Sequence, residues 1–107
     1  MEHLNKIELR GIIGSVRVQS VADTKVANLS VATNSAFKSH GGDIVIETTW
    51  HNVVAWEGSG IAPLDQLTKG AQVHVCGRLR TRRYMASDGS ERAVTDIVAG
   101  TLKLITE

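Results

Sequence analysis

Gln72-Val73-His74-Val75-Cys76-Gly77-Arg78-Leu79-Arg80-Thr81-Arg82-Arg83-Tyr84 alternates apolar and polar side chains with the period of a β-strand. Val73, Val75 and Leu79 fall on one face, and Arg78, Arg80, Arg82 and Tyr84 on the other. Ser87-Asp88-Gly89-Ser90 follows as a strong turn signal, and a second run over residues 93–105 returns as the hairpin partner. The expected element is an antiparallel hairpin whose outward face is basic and carries one aromatic ring.

Working outward from this hairpin, the preceding segment over residues 61–69 repeats Ile61, Leu64 and Leu67 at three-residue spacing, with Gly70 where a helix would end. Pro63 is tolerated only in a first turn, so a short helix starting near Ala62 is expected. Before it lies a strand over residues 44–56, and before that one over residues 26–34 with Ala27, Leu29 and Val31 inward. The stretch Ser39-His40-Gly41-Gly42-Asp43 separates the two as a loop. The first run, residues 7–18, sets Ile7, Leu9 and Ile13 on one face, then changes parity beyond Gly14 so that Val16 and Val18 carry the apolar side. An extra residue or glycine bend does this to a strand that must curve. Five strands with one short helix between the third and fourth describe an all-β OB-fold, a partly open Greek-key barrel that commonly binds oligonucleotides.

A chain of 107 residues, 42% apolar and 21% charged, has room for one domain and one modest core, so residues 1–107 are read as a single unit. There is no apolar run long enough to span a bilayer, and Met1-Glu2-His3-Leu4-Asn5-Lys6 lacks the features of a signal peptide, which points to the cytoplasm. The single cysteine, Cys76, excludes an internal disulfide and a multi-thiolate zinc site. A net charge of +1 says little about partners, but its distribution does: Arg78, Arg80, Arg82 and Arg83 are four of the seven arginines, with no acid between Asp65 and Asp88.

The chain has four aromatic residues, Phe37, Trp50, Trp56 and Tyr84. A small barrel ordinarily spends such rings on its core, because each buries a large apolar area. Here Phe37 sits at the end of a strand beside a loop, Trp50 and Trp56 share the parity of Asn52, and Tyr84 shares that of three arginines. If polar parity faces outward, all four lie on or beside an exposed basic surface. Rings on such a surface stack against unpaired bases, at about 1 to 3 kcal/mol per base, while guanidinium groups contact phosphates. The competing readings are tryptophans serving as core or interface anchors, and arginines serving as a solvated strand edge.

At these residues the sequence resembles the bacterial single-stranded DNA-binding protein family. The resemblance is carried by Leu4-Asn5-Lys6-Ile7 with Gly11 and Gly14, by Val26-Ala27-Asn28-Leu29-Ser30-Val31-Ala32-Thr33, by Glu47-Thr48-Thr49-Trp50-His51-Asn52-Val53-Val54, by Lys69-Gly70, and by Gly77-Arg78-Leu79-Arg80-Thr81-Arg82-Arg83-Tyr84. It implies an OB-fold homotetramer, non-enzymatic and without a cofactor, in which Phe37, Trp50, Trp56 and Tyr84 stack on the bases of single-stranded DNA. Arg78, Arg80, Arg82 and Arg83, with Lys38 in the adjacent loop, are the expected phosphate contacts, and His51 falls at a subunit-contact position. Family members often carry a basic residue where this chain has Asn52. They also continue into a linker with an acidic, partner-recruiting tip. This sequence stops at Glu107, which implies a truncated member, a tailless relative of the kind found on phages or mobile elements, or one of the primosomal replication protein N group. The resemblance further implies roles in replication, recombination and repair on nucleoid DNA.

Other chemistry is weaker. His74 and Cys76 share a strand face, but two ligands alone are read as unliganded, so no metal is expected. His51 has no marked nucleophile or carboxylate with which to act as a base. Gly41-Gly42 lacks the following Lys-Ser or Lys-Thr of a phosphate loop and reads as a turn. A metal-dependent nuclease would need clustered carboxylates; of the acids around the last hairpin, Asp88 is in a turn and Glu91 and Asp96 show no ligand spacing. A protein-docking barrel is the third class; it predicts no response of tryptophan fluorescence to oligothymidine.

Overall fold

In the computed structural model, which describes residues 1–106, alternating valine, isoleucine and threonine side chains draw the chain into five strands closed as a barrel. The strands are β1 (Ile7–Val21), β2 (Thr24–Lys38), β3 (Ile44–Trp56), β4 (Gln72–Met85) and β5 (Glu91–Leu104), ordered β1-β2-β3-β5-β4 around the barrel. All neighbours are antiparallel except β3 and β5, which meet in parallel through Val53–Ile97 and Val54–Val98. Among the described residues no helix is long and apolar enough to cross a membrane.

The interior is built from the inward parity of each strand. Leu9, Ile13, Ala27, Leu29, Val31, Val53, Ala55, Val73, Val75, Ile97 and Leu102 form one buried cluster, as the alternation predicts for those it singled out. The expected parity change in β1 is a β-bulge: Ile13 pairs with Val31 and Ser15 with Ser30, so Gly14 is the extra residue. A second irregularity, where Cys76 pairs with Thr101 and Gly77 with Ala99, skips Gly100 on β5. Two bulges let long strands bend around a small barrel.

The segment over residues 61–69 differs from its expected helix. Only Leu64–Gln66 is helical, as a single 3-10 turn with bonds from Gln66 N–H to the Pro63 carbonyl and Leu67 N–H to the Leu64 carbonyl. Pro63 is extended at ψ 129, which delays any helix to Leu64 and leaves too few residues to repay nucleation. Gly70, at φ 91, completes a turn from Thr68 to Ala71 rather than a helix cap. The three-residue spacing is meaningful all the same: Leu64 and Leu67 enter the core, and Ile61 bridges to Leu102.

Two hairpins outgrow the barrel. β2 continues to Lys38, past its expected end at Asn34, and pairs with β3 out to Lys38–Ile44. β4 and β5 pair out to Met85–Glu91. Leu79, expected inward with Val73 and Val75, is exposed although its partner Ile97 is buried, because it stands where the β4–β5 arm leaves the barrel. At the opposite end of β1, Val18 is exposed too, while Val16 packs against the core.

Candidate nucleic-acid interface

The outer face of β3 carries Trp50, Asn52, Val54 and Trp56, and the register sets each in a row with its neighbours. Ser15, Ser30 and Asn52 form one row, and Arg17, Asn28 and Val54 the next. Between these rows and the β4–β5 arm lies an open groove of about 330 Å³, floored by Ser30, Asn52 and Val54 and bordered by Arg17 and by Arg82 with Asp96. Trp50 and Trp56 stand on either side of that floor along the strand, six residues and so roughly 20 Å apart.

All four rings are open to solvent: Phe37 is 48% exposed, Trp50 60%, Trp56 42% and Tyr84 44%. None belongs to the buried cluster, so the reading of the tryptophans as core anchors fails. Gly14 explains how Trp50 lies: a Cβ there would run into the six-membered edge of the indole, so the ring rests over the β1 bulge. The rings do not share one face, however. Phe37 has the parity of Thr33 and Val31, which puts it on the opposite side of the β2–β3 ribbon from Trp50. Tyr84 stands on the other arm, on the face of Arg78, Arg80 and Arg82 and opposite Arg92.

The arginine row is more structured than its charge suggests. Asp96 is 3% exposed although it lies on the outer parity of β5, because two guanidinium groups cover it. Arg82 donates from Nε to Asp96 Oδ2 at 2.8 Å, and Arg80 reaches the same oxygen at 3.8 Å. That hydrogen bond, reinforced by the carboxylate's charge, raises the pKa of Arg82 still further. Arg83 projects to the other side of the ribbon and donates to Glu91 at 3.2 Å. Arg78 and Arg17 have no ion pair among the described residues. Lys38 is exposed at the end of the β2–β3 arm. His51 is half-buried on the inward parity, its Nε2 at 2.9 Å from Thr33 Oγ1, and lines a small recess with Ile7 and Leu79.

Residues 4–105 match the Single-strand binding protein family. The chain belongs to that family. It is 35% identical over 105 residues to the single-stranded DNA-binding protein of Neisseria meningitidis serogroup A, a match covering 95% of this chain and 60% of the relative. Single-stranded DNA-binding protein 1 of Chlorobaculum tepidum is 32% identical, with 95% and 65% covered. The chain thus spans about three fifths of the length of these curated relatives. Among solved structures, the Plasmodium falciparum SSB in complex with ssDNA superimposes with a TM-score of 0.86 at 27% identity, covering 99% of this chain and 98% of that one. A deletion mutant of the Thermus aquaticus single-stranded DNA binding protein, at 21% identity and a TM-score of 0.75, shares the fold, covering 96% of this chain and 51% of that one.

Sequence reasoning missed Arg17 and Asn28 as groove residues, since their approach to β3 depends on the bulge at Gly14. It weighed Asp96 only as a metal ligand. Counting the hairpin register back from Ser87-Asp88-Gly89-Ser90 sets Asp96 opposite Arg80, and that was the available signal. The structure also brings Glu8 of β1 against His74 and Cys76 of β4.

Proposed function

We propose that the chain binds single-stranded DNA without strong sequence preference, on the groove between the β1–β2–β3 face and the β4–β5 arm. The observation that carries this reading is a pair of solvent-exposed tryptophans flanking a polar floor bordered by guanidinium groups. Unpaired bases offer π faces that duplex hides, so Trp50 and Trp56 are stacking platforms, with Phe37 and Tyr84 extending the path along the two arms. Arg78 and Arg17 contact phosphates directly. Arg80, Arg82 and Arg83 do so by exchanging an internal carboxylate for a phosphate, and Lys38 adds charge at the arm's end. The acids weighed for nuclease chemistry engage arginines instead: Asp88 with Arg92, Glu91 with Arg83, Asp96 with Arg82. That supports binding over cleavage.

The assembly proposed is a homotetramer with His51 near a subunit contact, acting in the cytoplasm in replication, recombination and repair. Sedimentation should then report four times the chain mass. The functional test is titration of tryptophan fluorescence with oligothymidine at two salt concentrations, with duplex of equal length as control. Quenching by the single strand, weakened by salt and nearly absent with duplex, is the expected outcome. Unchanged emission at low salt would overturn the reading and favour a protein-docking surface.

A further inference from the structure

We propose that Glu8, His74 and Cys76 form a site for a zinc-class divalent cation on the outer face of β1 and β4. The three side chains come from two strands whose register brings them together: Glu8 is the direct cross-strand partner of Cys76, and His74 is two residues along on the same face. Direct partners stand with Cβ atoms only about 5 Å apart. Glu8 Oε2 lies 2.6 Å from His74 Nε2, Cys76 Sγ lies 3.8 Å from Glu8 Oε2, and Sγ is 3.9 Å from Nε2. One oxygen, one nitrogen and one sulfur therefore converge within 4.8 Å of one another, the one such group of three among the described residues.

These separations are close to what tetrahedral coordination needs. Bond lengths of about 2.0 Å to oxygen and nitrogen and about 2.3 Å to sulfur imply ligand separations of roughly 3.3 to 3.6 Å. The carboxylate and imidazole must part by less than about 1 Å, and the sulfur must close by a few tenths, movements within rotamer adjustment of half-exposed side chains. The donor set selects the metal. A single carboxylate does not satisfy magnesium or calcium, which take mostly oxygen ligands, whereas sulfur with imidazole suits zinc and its neighbours.

Charge points the same way. Arg10 and Lys103 are the cross-strand neighbours of His74 on either side, and they disfavour a cation held by electrostatics alone. A thiolate, a carboxylate and a neutral imidazole carry two negative charges, so a bound dication leaves the cluster neutral beside them. On binding, the Cys76 thiol gives up its proton to solvent, the neutral His74 imidazole carries its hydrogen on Nδ1 so that Nε2 is free to coordinate, and a water completes the fourth position. None of the three residues belongs to the proposed DNA-contacting set, so the site stands independently of that reading.

Cobalt(II) titration of the intact chain tests the proposal directly. Cys76 is the chain's only cysteine, so a thiolate-to-cobalt charge-transfer band reports this site alone. The expected result is a band that saturates at one equivalent, disappears when zinc is added, is absent in Cys76→Ser, and needs several-fold more cobalt in both Glu8→Gln and His74→Gln. No thiolate band at several equivalents, or a band unaffected by both partner substitutions, overturns the site. A readout on the unaltered protein guards against misfolded variants: zinc should block alkylation of Cys76, and alkylation at an unchanged rate would refute binding. Oligothymidine affinity should be the same with and without zinc. Failure of the cobalt test leaves the fluorescence test of DNA binding untouched.

Discussion

Trp50 lies over Gly14 because the bulge brings a residue without a side chain beneath the ring. Gly14→Val fills that space and must lift the indole. The expected result is a shifted tryptophan emission maximum and oligothymidine affinity weaker by up to the worth of one stacked base, about 1 to 3 kcal/mol. Trp50→Ala should cost a similar amount with an unchanged dependence on salt, since stacking carries no counterion release. Arg78 and Arg82 should behave differently from each other although both are exposed arginines of one strand face. Arg78 has no acidic partner among the described residues, so Arg78→Ala should flatten the slope of log affinity against log salt by about 0.7, the loss of one single-strand phosphate contact. Arg82→Ala should flatten it less. It should also lower the melting temperature, because Asp96 loses its 2.8 Å partner and keeps only the distant end of Arg80. Adding Asp96→Asn should restore much of that loss; a double variant no more stable than Arg82→Ala would mean that Asp96 does not depend on its guanidinium partner.

At the scale of elements, the two tight turns make opposite predictions. β1 and β2 are joined by Ala22 and Asp23 between the pair Val21–Thr24, and Ala22 has φ 54. A two-residue hairpin with positive φ at its first central position is where glycine is favoured, because a side chain in that region is strained. Ala22→Gly should therefore raise stability, by about 0.5 to 1 kcal/mol in chemical denaturation. The β4–β5 turn is already well made. Asp88 Oδ1 accepts from the Ser90 hydroxyl at 2.6 Å and from its backbone N–H at 2.9 Å, which lowers the carboxyl below its usual value of 3.8. A depressed carboxyl stabilises the fold fully above the ordinary aspartate range and loses that contribution as pH falls through the lowered value. Amide exchange at Gly89 and Ser90, corrected for intrinsic rates, should accelerate relative to the barrel on acidification below about pH 4, and Asp88→Ala should remove this pH dependence. The Ala22 turn was hard to see in the sequence because Asp23 is its one turn-favouring residue and no glycine stands at the positive-φ position, whereas Ser87-Asp88-Gly89-Ser90 announced itself.

For the molecule as a whole, the barrel was legible wherever one face of a strand is buried. Leu9, Ile13, Ala27, Leu29, Val31, Val73 and Val75 all read inward from alternation alone, and all are buried. Legibility ends where burial does. In the arms both faces are wet, so nothing in the pattern marks how far β2 runs past Asn34, or that Phe37 and Trp50 take opposite sides of one ribbon; β4, bounded by the Ser87-Asp88-Gly89-Ser90 turn, ends at Met85, one residue beyond its expected end. Nor could alternation show contacts set by long-range register, such as Glu8 against His74 and Cys76 or Arg17 against the β3 floor. Trp50, Trp56 and Tyr84 were read correctly as exposed because their parity is shared with polar neighbours; Phe37, on the parity of buried Val31, was read as exposed from its place at the strand's end.

Asp96 has one more consequence. A groove whose guanidinium groups already face a carboxylate is not a bare cationic trench, and it offers less to the phosphate rails of a double helix or to any other polyanion. Discrimination then falls to the indoles, which reward only a strand able to turn its bases outward. Asp96→Asn should bind duplex and heparin more tightly than the unaltered chain, by a larger factor than it gains for oligothymidine.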